Sequence, residues 1–160
     1  MIELFGHPFS SYTWKSLIPL YENETPFTFR IIDDDHPDNR ERLQRLSPQH
    51  KFPLLIEGEV RLFESSIITE YLQQYHPGPV IFIPEDFDTA LQVRMLDRFF
   101  DQYVMTVAQN IVDDFLREPA DRNGLIVAQA KERLERSYAW LEQRMRDKTF
   151  ACGEEFTLAD

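Results

Sequence analysis

The chain has 160 residues, 42% of them hydrophobic and 28% charged, the balance of an ordinary globular protein long enough to bury a core. Its formal net charge of −11 excludes a general nucleic-acid binder or a binder of anionic membranes, while leaving room for a local anion pocket. One cysteine, Cys152, excludes an internal disulfide framework and a cysteine-rich zinc site, and it suits a reducing cytosol.

Ile2-Glu3-Leu4-Phe5 alternates and ends at Gly6, so it reads as a short strand. This start lacks the basic segment of a signal peptide. No later apolar run approaches the ~20 residues that span a bilayer, so the expected location is cytoplasmic, with no membrane partner. Pro8 restricts His7 to extended conformations, which makes His7-Pro8-Phe9 a loop. Ser10 and Ser11 are N-cap candidates for a helix in which Trp14, Leu17, Ile18 and Tyr21 fall at helical spacing. Pro19 sits inside that helix at a cost of about 3 kcal/mol, so a kink or an early end is expected there.

Residues 27–32 are aromatic and β-branched and read as a strand. With the intervening helix they form a βαβ unit, whose strands are parallel. Residues 33–38 are a polar loop, and 39–46 a short charged helix offering only Leu43 and Leu46 to a core. After a second loop, Phe52-Pro53-Leu54-Leu55 opens a buried strand with a proline, which cannot donate to the ladder. A three-residue turn, Glu57-Gly58-Glu59, joins it to an antiparallel strand ending at Phe63. Glu64-Ser65-Ser66 then opens a helix to about Tyr75, with a carboxylate and two hydroxyls at its positive end.

The expected first domain, residues 1–78, is therefore α/β with the order βαβαββα and a mixed four-stranded sheet. His76-Pro77-Gly78-Pro79 breaks the last helix, and 79–87 is a linker. The expected second domain, 88–160, is all-α. Residues 89–116 read as one long helix, too apolar to have a wet face along its whole length, and 125–145 as a second with Ile126, Ala130, Leu134, Tyr138 and Leu141 on one stripe. Phe156-Thr157-Leu158-Ala159-Asp160 has the spacing of a capping box with a staple residue before it. It announces a helix whose body is missing, so the second domain is expected to be incomplete at its C-terminal end.

Leu4-Phe5-Gly6-His7-Pro8-Phe9-Ser10, Phe52-Pro53-Leu54-Leu55 and the run from Leu62-Phe63-Glu64-Ser65-Ser66 to Glu70-Tyr71-Leu72 resemble the cytosolic glutathione S-transferases. The Phe-Gly-His-Pro-x-Ser start is most similar to the plant phi class and its bacterial relatives, and Ser10-Ser11 with Trp14 and Lys15 is similar to the theta and zeta classes. The final five residues resemble the capping box of the family's sixth helix. The resemblance covers essentially the whole chain. It implies a thioredoxin-like N-terminal domain, an all-helical C-terminal domain, a homodimer and a role in detoxification. Two departures are Pro19 in the first helix and the stop where the sixth helix begins, which removes part of the second-substrate wall and bears on whether this chain is active.

The implied chemistry is activation of the glutathione thiol for attack on a small apolar electrophile or a peroxide. Ser10 is the implied catalytic hydroxyl; its plainer role is as an N-cap, and Ser11 and Tyr12 are the fallback hydroxyls. Phe52-Pro53 is expected to be a cis peptide, with Phe52 pairing to the cysteinyl part of glutathione. Glu64 and Ser65 are expected to hold the γ-glutamyl end, and Lys51, less surely His50, the glycyl carboxylate. Ser11 and Pro53 complete the expected glutathione contacts, while Phe9, Tyr12 and Tyr103 are candidates for the second-substrate pocket. His7, His36 and His76 lack ligand spacing, so no metal is expected. The competing reading is a transferase-like binding or interaction module without turnover. A thiol-disulfide oxidoreductase fits poorly, because no cysteine lies near the first helix.

Overall fold

A computed structural model describes every residue from Met1 to Asp160. Strand β1 (Ile2–Gly6) is buried on both faces. Ile2 and Leu4 enter a cluster with Leu20, Leu55, Ile68 and Leu72, while Phe5 enters a second with Ile32, Leu43, Leu54 and Ile56. That is the period-two alternation of a central strand. Helix α1 (Ser11–Glu22) carries the chain across to β2 (Phe27–Ile31), which lies parallel to β1 with Ile2 opposite Phe27 and Gly6 opposite Ile31. After α2 (Pro37–Leu46), β3 (Leu54–Glu57) pairs antiparallel to the other edge of β1, and β4 (Val60–Phe63) antiparallel to β3. Helix α3 (Ser65–Tyr75) closes the unit by packing beside α1. The sheet order β2-β1-β3-β4, with the element order βαβαββα, is the expected thioredoxin-like arrangement.

Four local expectations change. The β3–β4 turn holds two residues rather than three, because Glu57 pairs with Val60, and Gly58 takes the required positive φ of 60°. Helix α1 runs through Pro19 to Glu22. The hydrogen bond lost there is offset by burying Pro19 itself and Leu20 in the core. Helix α2 begins two residues earlier than expected, with Pro37 in its first turn, where its missing N–H costs nothing. The long helix is three pieces: α4 (Phe87–Phe99), a π-helical turn over Phe100–Met105, and α5 (Thr106–Leu116). The Thr106 N–H donates to the Asp101 carbonyl, five residues back, and the Thr106 hydroxyl donates to the same oxygen at 2.8 Å.

The chain divides into two compact units, Met1–Ile83 and Pro84–Asp160. Of the 79–87 stretch, residues up to Ile83 fall within the first. Two side-chain amides tie them there, each both donating and accepting. Asn23 brackets the backbone of Val80 at 2.9 and 3.1 Å, and Gln73 that of Ile83 at 2.8 Å on both sides. The second unit is helical, with α6 (Gly124–Met145) packed against α5 through Val107, Ala130 and Leu134. At its end the Asp160 carboxylate accepts from the Thr157 N–H at 2.8 Å, the Thr157 hydroxyl at 3.0 Å and the Ala151 N–H at 2.7 Å. This is the side-chain-to-backbone half of a capping box. No helix is long and apolar enough to cross a membrane.

One ion cluster joins the sheet to α2. Glu3, on the same face of β1 as Phe5, accepts from Arg42 at 2.6 and 2.8 Å and from Arg30 at 2.6 Å. Hydrogen bonds from Arg42, and then Arg30, hold its carboxyl at about 2, against burial, which pushes the other way. The folded value thus lies below the ordinary 4.5. The stabilisation is fully present above the unfolded value and is lost as pH falls through the folded one. Glu3→Gln should therefore lower the urea midpoint at neutral pH. The gap to the unaltered protein should narrow as pH is taken from about 4.5 toward 2, which a series of urea titrations would measure.

Candidate functional site

The strand register brings the candidate residues to one end of the sheet. Phe5 lies opposite Leu54, Leu54 opposite Phe63, and Gly6 opposite Ile31. The segments beyond those residues, 7–10, 32–36, 50–53 and 64–65, therefore leave the sheet side by side. Beside the first three of these segments lies a cleft of about 420 Å³ lined by His7, Ile32, Asp33, Asp34, Arg40, Leu43, Gln44, His50 and Phe52, so of the candidate residues only His50 and Phe52 reach it. The His7 and Phe52 rings stack across it with centroids 6.3 Å apart. His36 hydrogen-bonds Asp33 at 2.6 Å and holds that carboxyl below its usual range.

The loop after β1 is built around a close approach. A Cβ on Gly6 would stand 2.4 Å from Thr13 Cγ2 and 2.7 Å from its Oγ1, and Thr13 is fully buried. Thr13 Oγ1 in turn accepts from the His7 N–H at 3.3 Å. The first turn of α1 is thereby pressed onto the end of β1, and Ser10 becomes the N-cap. Its Oγ accepts from the Thr13 N–H at 3.3 Å, its own N–H donates to the His7 carbonyl at 3.0 Å, and its carbonyl accepts from Trp14 N–H at 3.0 Å. The capping bond occupies an oxygen lone pair and leaves the hydroxyl proton free to donate elsewhere. Ser10 and Tyr12 are half-buried, and Ser11 is exposed. Phe9 is 91% exposed, with its N–H held by His7 Nδ1 at 3.1 Å, and Trp14 Nε1 donates to the Pro8 carbonyl.

The Phe52–Pro53 peptide is cis. Phe52 is half-buried two residues before Leu54, where pairing with β1 begins, and Lys51 is exposed, with its carbonyl accepting from the Ser47 hydroxyl at 3.1 Å. Glu64 is the N-cap of α3, exposed, with no side-chain capping bond and with φ 71° and ψ 111°. A residue other than glycine held there costs about 1–3 kcal/mol. That backbone points the Ser65 and Ser66 amides along the start of α3, and both serines are buried. Tyr103 lies in the second unit, on the π-helical turn, with its ring 5.4 Å from Phe99 beside a cavity of about 370 Å³.

Ser10, Phe52, Pro53, Glu64 and Ser65 thus share one end of one sheet, with Ser11, Tyr12 and Lys51 close along the chain. His7, Arg40 and Gln44 also line the cleft, and sequence reasoning did not select them. Arg40 and Gln44 lie four apart on α2, the one available signal that they share a face. No group of histidine, cysteine, aspartate and glutamate side chains is arranged to hold a metal ion.

Residues 4–80 match the family model for the glutathione S-transferase N-terminal domain, and 125–160 that for the glutathione S-transferase C-terminal domain. A probable glutathione S-transferase of Nicotiana tabacum is 26% identical over 85% of this chain and 63% of its own length. A stringent starvation protein A homolog of Coxiella burnetii is 24% identical over 100% of this chain and 71% of its own length. Among solved structures, a glutathione S-transferase of Methylobacillus flagellatus with glutathione bound superposes with a TM-score of 0.87, at 22% identity over 99% of this chain and 77% of that one. The chain spans 63% and 55% of the length of two tobacco relatives that it matches.

The close approach at the base of the site gives a direct test. Gly6→Ala should destabilise the protein by about 1–3 kcal/mol, because a Cβ must displace a buried side chain. Trimming that side chain with Thr13→Ser should recover part of the loss, and urea unfolding of the three variants would measure both effects.

Proposed function

The chain belongs to the glutathione S-transferase family, and we propose that its first unit binds glutathione and activates the thiol for transfer. The observation that carries the reading is the hydrogen bonding of Ser10. Its oxygen is committed to the Thr13 N–H at the start of α1, so its proton is available to a thiolate sulfur beside the positive end of that helix. A free thiol titrates near ~8.5. A hydrogen bond to the charged form contributes about 1.5–3 kcal/mol, or about one to two pKa units, which brings the thiolate into the neutral range.

The rest of the tripeptide follows the same end of the sheet. Phe52 precedes the paired part of β3, so its main chain can take the cysteinyl backbone as an added strand, with Pro53 behind it. Glu64 offers a carboxylate to the γ-glutamyl ammonium, and Ser65 offers its hydroxyl and N–H to the carboxylate at a helix N-terminus. Lys51 or His50, with Ser11 nearby, meets the glycyl carboxylate. The thiol proton passes to water, and the thiolate attacks an electrophilic carbon, forming a C–S bond as the carbon–halogen bond of an activated halide breaks and halide departs with its electron pair. Alternatively, two glutathiones reduce a peroxide to an alcohol and water, the O–O bond breaking as the two thiols are oxidised to glutathione disulfide. Exposed Phe9 offers an apolar surface to a small electrophile. We place this activity in the cytoplasm, in a homodimer, as a detoxification step.

A second reading, an interaction module without turnover, is favoured by the match along the whole chain to a relative that does not bear a transferase name. Ser10→Ala separates the two. On the transferase reading kcat with an activated aryl halide falls about 10- to 100-fold, while retention on immobilised glutathione persists. Equal loss of turnover and retention would remove the thiolate role. Retention of the unaltered chain without turnover would favour the interaction module.

A further inference from the structure

Helix α2 forms one wall of the cleft, and it is weakly held. It has ten residues, a length at which an isolated helix is marginal, and Leu43 is its one buried side chain. His36 at its N-cap makes no side-chain capping bond. With only half-buried Leu46 packed beside Leu43, this footing is narrow and leaves the helix room to roll. Arg40 pairs with exposed Asp34 of the preceding loop at 2.6 Å, and two further polar ties reach the sheet itself. Near its start, Asn39 donates to the Ile31 carbonyl at 2.9 Å. In its middle, Arg42 donates through both terminal nitrogens to the two Glu3 oxygens, at 2.6 and 2.8 Å, with its guanidinium also 5.1 Å above the Phe5 ring.

The second tie is the directional one. A bidentate guanidinium–carboxylate pair fixes an angle as well as a distance. Glu3 lies on the central strand, and its carboxylate is only 17% exposed. Arg30 of β2 donates to it as well, so its own position is set by the sheet. The opposite side of α2 carries Arg40 and Gln44 into the cleft, across from His7 and Phe52.

We infer that Glu3 is a positioning residue for the glutathione site: by gripping Arg42 it sets the roll of α2 and hence the wall that Arg40 and Gln44 present to the ligand. The inference rests on the reading of this cleft as the glutathione site. Glu3 touches no ligand and acts through Arg42 alone, while Ser10 stands on α1, which is packed independently against α3. Loss of the grip therefore weakens binding and leaves the chemical step intact, the signature of a change in uniform binding.

The test uses the full chain with glutathione, with an activated aryl halide for turnover. Glu3→Gln and Arg42→Gln should each raise the glutathione Kd and KM about tenfold, with kcat at saturation within about twofold. The double variant should be no worse than either single one, because both remove one link. Hydrogen exchange should accelerate over 37–46 and not over α1 or α3. A merely structural role would lower the unfolding midpoint and leave KM unchanged, and that result overturns the inference; so do additive effects in the double variant. If Glu3→Gln does not fold, Arg42→Gln, a change at a partly exposed position, carries the same comparison alone. If the unaltered chain binds no glutathione, the functional reading falls; selective exchange in α2 then still reports the grip, and uniform exchange refutes it.

Discussion

β1 is paired along both edges, parallel to β2 and antiparallel to β3, so a slip of one residue would reverse its faces. Leu4 would turn toward α2, and Glu3 would enter the apolar cluster beneath α1 and α3, where its charge has no partner. The register is thus enforced from both sides, by hydrocarbon on one and by arginine on the other. It also decides where every loop of the site emerges. With Phe5 opposite Leu54 and Leu54 opposite Phe63, the chain before β3 and the chain after β4 leave beside the loop after β1.

Three helices reach that end of the sheet, of which α2 lines the cleft, and they are held by different physics. Helices α1 and α3 share buried side chains, Leu20 with Ile68 and Leu72, on one face of the sheet. Their N-termini are fixed by backbone geometry: at α1 by the contact of Gly6 with Thr13, at α3 by the left-handed Glu64. Helix α2 has a smaller apolar footing, Leu43 and Leu46, and is tied to the sheet by Asn39 and by a charge pair. The Ser10 hydroxyl and the first amides of α3 are therefore set by packing, whereas the wall formed by α2 leans on electrostatics as well.

Much of this was legible in the sequence. Alternation in 2–5, the proline before Leu54 and the acid and serines before Ile67 each specify local structure, and together they carry the fold and the candidate residues of the first unit. What was not legible depends on contacts distant along the chain. Pro19 survives inside α1 because tertiary packing buries it, next to a Leu20 that meets Ile68 and Leu72 of α3. The π-helical turn follows from a threonine competing for one carbonyl, which periodicity does not register. Nothing beside Glu64 in the sequence announces that it is held at positive φ without a side-chain capping bond. Glu3 and Arg42 are 39 positions apart, and nothing in either neighbourhood marks them as partners.

The uneven footing of the three elements has an energetic consequence. Ordering a loosely held segment on binding costs conformational entropy, which is subtracted from the affinity of the contacts it makes. For a ligand bound in this cleft that cost would fall mainly on α2, which is tied to the sheet by Asn39 and a partly exposed ion pair. A carboxylate already gripped before the ligand arrives lowers the cost without adding any contact to the ligand. The Ser10 hydroxyl keeps its geometry through the Thr13 bond whatever α2 does, so a shift of α2 on the opposite face of the sheet need not disturb it.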